Sequence, residues 1–127
     1  MKDASEYLVR IKALILAHSN VEHWEILREE AQGEMGLMRY RLILRGGELL
    51  EIFERFRILQ GRAQIDKYSY HWQDEKGRLK KRWDNAVHHP EVKTYPHHVH
   101  EGTEERVRAH GPMSIKKVLF VVASEFK

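Results

Sequence analysis

The chain has 127 residues, of which 42% are hydrophobic and 32% charged, and its formal net charge is +3. This length is typical of one domain with its own core, and the composition excludes a disordered or fibrous chain. The sequence contains no cysteine, which excludes disulfide scaffolds, thiolate zinc sites and cysteine nucleophiles. Because the start is acidic and no apolar run is long enough to span a bilayer, we expect a cytoplasmic protein without membrane contact.

An amphipathic helix is the first predicted element. Asp3 followed by Glu6 is typical of a capping box. Apolar residues then recur at helical spacing up to about His18, namely Tyr7, Leu8, Ile11, Leu14 and Ile15. One face of the helix is therefore suited to packing against a core.

Alternation with a period of two predicts about five strands after this helix. They begin near Val21, Met38, Leu49, Ala63 and Arg78. Between the second and third, Gly46-Gly47 predicts a two-residue hairpin turn. The stretch from Leu49 also fits a helical period, but the neighbouring hairpin signals favour a strand.

Regular periodicity ends at Asn85. Pro90 and Pro96 disfavour helix for the residues before them, so we expect a long loop that extends to Gly111. Ser114 can then cap a final helix. The apolar stripe of this helix is Ile115, Val118, Leu119, Val122 and Phe126. A closing strand is the alternative secondary structure for this stretch. The apolar stripe can pack on the sheet, join two copies in a homodimer or bind a partner.

Together these elements predict a single two-layer α+β domain over residues 1–127. An antiparallel β-meander of about five strands would carry the N-terminal and C-terminal helices on one face. The other face would then hold the basic and histidine side chains of the strands. A ligand can bind on that open face.

Six of the nine histidines lie between Tyr68 and His100, among aromatic and basic residues. Because the ordinary pKa of histidine is nearest neutrality, such a group beside arginines suits proton transfer next to a charged substrate. Metal-independent RNA cleavage needs a base for the ribose 2′-hydroxyl, an acid for the leaving 5′-oxygen and a cation for the phosphate. The candidate catalytic residues are His71, Arg82, Asp84, His88, His89, His97 and His98.

Basic and aromatic residues of the strands are candidate RNA contacts, since aromatic rings stack on unpaired bases. The candidates are Arg39, Arg41, Lys67, Lys80, Tyr70 and Trp83. The alternation of Tyr68, Tyr70 and Trp72 along one strand face is, however, more typical of a core. The basic stretch at residues 76–82 favours a polyanionic partner, or alternatively protects an exposed edge strand.

Metal binding is the alternative use of the histidines. His98 and His100 on an extended chain point to the same side, and His88 or His97 with Asp84 or Glu91 could complete a coordination sphere. The spacing matches no established ligand motif. We therefore expect neither a metal nor another cofactor.

Three blocks of the sequence, at residues 68–74, 82–90 and 95–100, resemble the TumE family of toxins in their order and spacing. Val87 departs from the family pattern, in which proline is expected, and Val99 stands where lysine is common. The resemblance implies a growth-inhibiting toxin of a toxin–antitoxin pair. It also implies a cognate, DNA-binding antitoxin as the partner.

RNA as the substrate follows from the residues themselves and from an analogy of fold. Helices on one side of an antiparallel sheet, with basic and histidine residues on the other, are similar to the RelE and barnase group of ribonucleases. We therefore hypothesise a metal-independent endoribonuclease. His71 and His88 would share the acid and base roles, Arg82 would hold the phosphate, and Asp84 would orient a histidine. The alternative is a metal-binding or partner-binding module without nuclease activity.

Overall fold

The first helix begins where the sequence places its cap. The structure is a computed structural model and describes residues 1–126. Helix α1 spans Ala4–Ala17, and the Asp3 carboxylate accepts a hydrogen bond of 2.9 Å from the Glu6 backbone N–H. The residues on its buried face are Ala4, Leu8, Ile11 and Ile15. The predicted amphipathic helix is thus confirmed.

A seven-stranded antiparallel sheet follows α1, and each strand pairs with the next along the chain. The strands are β1 (Val21–Gln32), β2 (Met35–Leu44), β3 (Leu49–Leu59), β4 (Arg62–Gln73), β5 (Leu79–Asp84), β6 (His98–Glu101) and β7 (Val107–Ala109). The predicted meander is confirmed over its first five strands. The stretch from Leu49 is a strand and not a helix.

The sheet has two strands more than the sequence predicts. Both β6 and β7 lie within the stretch predicted as a long loop. With four and three residues, they are too short for an alternating pattern to be recognised. The long-range pairing of β6 with the edge of β5, and the pairing of β7 with β6, define them as strands.

The turn between β2 and β3 is one residue longer than predicted. The Leu44 backbone N–H donates to the Glu48 carbonyl at 2.8 Å, which closes a three-residue turn, Arg45–Gly47. Gly46 and Gly47 have φ values of +79° and +82°, a region in which residues with a Cβ are strained. The glycine pair thus has the predicted role in a hairpin of different length.

One hydrophobic core lies between the helices and the sheet. Helix α2 spans Ile115–Glu125, and the Ser114 hydroxyl accepts from the Lys117 N–H at 3.3 Å, as predicted for its cap. The core includes Tyr40, Leu42, Ile52, Tyr70, Trp72, Trp83, Val99, Val118 and Val122. The stripe of α2 therefore packs on the sheet, and the homodimer stays a prediction. Of the helices within residues 1–126, neither is long and apolar enough to cross a membrane.

The core also contains the carboxyl group of Glu54, which is fully buried on β3. The hydroxyls of Tyr7 and Tyr70 donate hydrogen bonds to its two oxygens, that of Tyr7 at 2.6 Å. Burial raises the pKa of Glu54 to about 7, although the two hydrogen bonds act in the opposite direction. The core therefore holds a group that titrates near neutrality.

Replacing Glu54 with Gln should remove part of the pH dependence of stability. The folded carboxyl keeps its proton up to about pH 7, whereas the unfolded carboxyl has the ordinary pKa of 4.5. Between these values the unfolded state binds fewer protons, so the free energy of unfolding falls as the pH rises. Urea denaturation from about pH 5 to about pH 8 should show this fall in the parent and a flatter profile in Glu54→Gln. An equal fall in both proteins would contradict the assignment.

Gly36 on β2 allows a close approach of neighbouring side chains, and Gly36→Ala should destabilise the fold. A Cβ at this position would lie 2.6 Å from Cζ of Phe56 and 3.1 Å from Cβ of Ala4. Such overpacking costs about 1–3 kcal/mol of unfolding free energy, measured by urea denaturation. Gly111→Ala is the matched control, since a Cβ there has no heavy atom within 4 Å. Equal losses of unfolding free energy in the two variants would show that crowding at Gly36 does not destabilise the fold.

Candidate active site

The pairing of β5 with β6 brings four polar side chains onto one face of the sheet. Arg82 lies opposite His100, and Asp84 lies opposite His98. Trp83 lies between Arg82 and Asp84 on β5, and its side chain points into the core. The four polar side chains therefore lie on the open face, which is the face opposite the helices.

The Asp84 carboxylate lies at the centre of this group. Its Oδ1 is 2.9 Å from Nε2 of His98, and its Oδ2 is 3.5 Å from Nε2 of His100. The two Nε2 atoms are 3.1 Å apart. All three residues are buried, with exposed fractions of 7%, 2% and 4% for Asp84, His98 and His100.

Backbone carbonyls fix the orientation of both buried imidazoles. Nδ1 of His98 donates to the carbonyl of Pro96 at 2.8 Å, and Nδ1 of His100 donates to the carbonyl of Glu104 at 2.7 Å. A carbonyl oxygen can only accept, so each Nδ1 carries a proton. The Nε2 atom of each ring is thereby turned towards Asp84.

His89 adds a third imidazole from the loop between β5 and β6. Its ring centroid lies 5.0 Å from that of His98 and 5.6 Å from that of His100. The Nδ1 atom of His89 is 3.1 Å from the carboxylate of Glu91, and its side chain is 29% exposed. We refer to Asp84, His89, His98 and His100 as the Asp84 cluster.

Arg82 lies at the border of the Asp84 cluster, between two carboxylates. Its Nε is 3.3 Å from Oδ2 of Asp84. Its two terminal N–H groups donate to both oxygens of Glu104, one of them at 2.6 Å. Arginine binds phosphate with the same two-pronged geometry. The Glu104 carboxylate therefore occupies a position suited to an anion.

A groove of about 430 Å³ extends from Arg82 across the open face of β4 and β3. Its lining residues are Arg41, Leu49, Glu51, Ser69, His71, Gln73 and Arg82. His71 lies opposite Arg82 in the β4–β5 pair, with its Nε2 3.0 Å from Oε1 of Gln73. A larger depression of about 870 Å³ adjoins the β1–β2 turn, but none of its lining residues is a histidine and its charged residues are three acids and Arg55. We therefore take the groove beside Arg82 as the candidate site.

The four basic residues predicted to contact RNA lie in different places. Arg39 and Arg41 are on the open face, where each pairs with Glu51 at 3.0 and 3.1 Å. Lys67 is exposed on β4. Lys80 is outside the groove, with its ammonium group 4.1 Å from the centroid of a core tryptophan.

The two aromatic residues predicted to stack on bases are core residues. Tyr70 is 0% exposed and Trp83 is 2% exposed, so their ring faces are covered by other side chains. The hydroxyl of Tyr70 binds Glu54 within the core. Their predicted contact with RNA is therefore corrected to a role in packing.

Three of the predicted catalytic histidines lie outside the Asp84 cluster, namely His71 in the groove on β4, His88 and His97. His88 is exposed, and among residues 1–126 it has no hydrogen bond or ion pair. The Nδ1 atom of His97 is 2.8 Å from the hydroxyl of Tyr68, and their rings stack with centroids 5.8 Å apart. Since Tyr68 belongs to the core side of the sheet, His97 points away from Asp84. Burial lowers the pKa of His97, and the neighbouring His98 adds to this effect.

Sequence reasoning missed two parts of the site. The predicted catalytic set does not include His100, although its Nε2 lies 3.5 Å from Oδ2 of Asp84. Its signal was the alternation with His98, which places both on one strand face. Glu104 was not considered at all, because residues 102–106 have no periodic pattern that would indicate its contact with Arg82.

Comparisons with known proteins find one matching family. A family model described as "Toxin TumE" matches residues 11–127, a range that includes every strand and the whole Asp84 cluster. No curated protein and no solved structure matches the chain.

Proposed function

The chain belongs to the TumE toxin family, and we propose that this toxin acts by cleaving RNA on the open face of its sheet. Membership makes the protein the toxin component of a toxin–antitoxin pair, with a cognate antitoxin as its partner. The family description does not state the chemistry of toxicity. RNA cleavage is supported by the residues that surround Arg82.

The observation that carries the proposal is the position of Arg82 between two groups that can transfer protons. His71 faces Arg82 across the β4–β5 pair, and the Asp84 cluster contacts it from the other side. An arginine that holds a carboxylate through two N–H groups can hold a phosphate in the same way. The proposal depends on this site and not on the expected likeness to RelE and barnase, because one fold serves many functions.

His71 and the Asp84 cluster would share the acid and base roles. The base takes the proton of the 2′-hydroxyl, whose oxygen forms a bond to phosphorus. The bond from phosphorus to the 5′-oxygen breaks, and the acid protonates that oxygen. The products are a 2′,3′-cyclic phosphate and a 5′-hydroxyl. The Asp84 cluster takes the place expected for His88, since His88 has no contact with Arg82 among the described residues.

The RNA would be bound mainly through its phosphates. The two rings predicted to stack on bases are buried, whereas Arg39, Arg41 and Lys67 lie at the surface of the strands. Phosphate contacts carry no sequence information and weaken as salt rises. We therefore propose single-stranded RNA as a substrate with little preference for particular bases.

Purified protein should cleave a fluorescently labelled single-stranded RNA and leave 2′,3′-cyclic phosphate ends. His71→Ala and Arg82→Ala should each reduce the cleavage rate by about 100-fold or more, because they remove a proton-transfer group and the phosphate-binding cation. His23→Ala is the matched control, since β1 is at the other edge of the sheet. The assay should be run in EDTA and with added zinc, because the cluster can act through an imidazole or through a bound ion.

The same variants should be compared for growth inhibition in cells. Loss of inhibition in His71→Ala and Arg82→Ala, with inhibition retained in His23→Ala, is the expected result. If the parent cleaves no RNA under either condition while it still inhibits growth, RNA cleavage is not the basis of toxicity.

Glu104→Gln should strengthen RNA binding. The substitution removes the carboxylate that occupies the terminal N–H groups of Arg82, so a phosphate no longer competes with it. We expect the Kd for a noncleavable 2′-deoxy analogue to fall by roughly two- to five-fold, the range of an exposed ion pair. Glu105→Gln is the matched control, since it changes the net charge equally and has no contact with Arg82. Equal effects of both variants would mean that only net charge matters.

A further inference from the structure

The acceptor atoms at the centre of the Asp84 cluster lie close enough to repel one another. Nδ1 of His98 and Nδ1 of His100 each donate to a backbone carbonyl, so in the neutral rings both Nε2 atoms carry a lone pair and no proton. These lone pairs face each other at 3.1 Å, and an oxygen of Asp84 is 2.9 Å from the first. Hydrogen-bond acceptors at such distances repel each other unless a cation or a proton lies among them.

The distances match those between the ligands of a metal ion. Two donor atoms on a tetrahedral zinc ion, each about 2.0–2.1 Å from the metal, lie about 3.3 Å apart. The Nε2–Nε2 separation of 3.1 Å and the carboxylate separations of 2.9 and 3.5 Å lie around this value. A nitrogen of His89 lies within 4.8 Å of the other two imidazole donors.

We propose that the Asp84 cluster binds a divalent first-row transition metal ion, with zinc as the best-fitting one. His89, His98 and His100 supply three imidazole ligands, and Asp84 lies beside the fourth position. Three histidines with a fourth position for water form a known type of catalytic zinc site. The donor set does not suit magnesium or calcium, which require mainly oxygen ligands.

The surroundings of the cluster are those expected around metal ligands. Histidines that bind a metal through one nitrogen usually donate the other N–H to a backbone carbonyl or a carboxylate. Each imidazole follows this pattern, His98 and His100 with carbonyls and His89 with the Glu91 carboxylate. The partly exposed side chain of His89 leaves a route from solvent for the ion.

A shared proton is the other way to relieve the repulsion. Protonation of one imidazole would turn its Nε2 into a donor to the other ring or to Asp84. This arrangement needs only two histidines, and it gives no role to the third imidazole. A metal ion accounts for all three rings.

The ion would change the chemistry available at the site. Its ligands would no longer take part in proton transfer, and a water at the fourth position would be activated as a base near Asp84. Metal binding does not depend on RNA being the substrate. It can therefore be tested without RNA.

Metal binding should be measured on the purified full-length protein, stripped with EDTA and then dialysed against zinc. We expect one zinc ion per chain after gel filtration, measured by elemental analysis, together with a rise in Tm from preferential binding to the folded state. Cobalt substitution should give the visible absorption of tetrahedral coordination by nitrogen and oxygen donors. His89→Gln should weaken zinc binding at least about 10-fold, and the double variant His98→Gln/His100→Gln should abolish stoichiometric binding.

The controls separate this site from binding elsewhere. His88→Gln and His71→Gln should bind zinc as the parent does, because neither residue belongs to the cluster. If the double variant does not fold, the partly exposed His89→Gln decides the result. Substoichiometric zinc in the parent overturns the proposal, as does stoichiometric binding that is unchanged in His89→Gln. Stoichiometric zinc in a protein that cuts no RNA would support the metal site and reject the proposed function.

Discussion

The antiparallel register between β5 and β6 is the constraint on which the candidate site depends. Successive residues of a strand point to opposite faces, so the pairing that buries Trp83 and Val99 in the core also places Asp84 beside His98 on the open face. A slip by one residue would bring the charged side chains into the core and the apolar ones out of it. Hydrophobic burial on one side of the sheet thus enforces the geometry of the polar group on the other.

Within residues 1–126 two side-chain carboxyl groups are buried, Glu54 and Asp84, and they differ in their hydrogen-bond partners. Both oxygens of Glu54 accept a hydrogen bond from a tyrosine hydroxyl, so each oxygen of the carboxylate has a partner. Asp84 receives the Ala86 N–H at 3.0 Å and the Arg82 guanidinium, but it also faces two imidazole nitrogens without protons. A buried group with incomplete partners is costly in a structural core and is typical of a site that acts on something else.

The sequence could predict the elements that carry their own local signal. Asp3 and Ser114 cap helices whose apolar stripes extend over several turns, and β1 to β5 are long enough for alternation to be seen. The short strand β6 depends on a long-range pairing with β5, which no local pattern reports, and β7 pairs in turn with β6. For the same reason, the sequence predicts the segment that contains the site but not which of its side chains come together. Neighbouring residues such as His88 and His89 have the same chemistry, and only the path of the loop decides which of them reaches His98 and His100.

Because the strands β6 and β7 at one edge of the sheet are short, the site can be lost without unfolding of the whole protein. Strand β6 pairs with β5 and β7 pairs with β6, and of these two short strands only Val99 belongs to the hydrophobic core, whereas β2 to β4 supply most of the core residues of the sheet. Regions with few buried apolar contacts open locally at a smaller free energy than global unfolding requires. A local opening of this edge would separate Asp84 from His98 and His100 while the core stays folded. The rate of amide hydrogen exchange in β6 would then report local opening of the site. The rate in β3 would report unfolding of the whole protein.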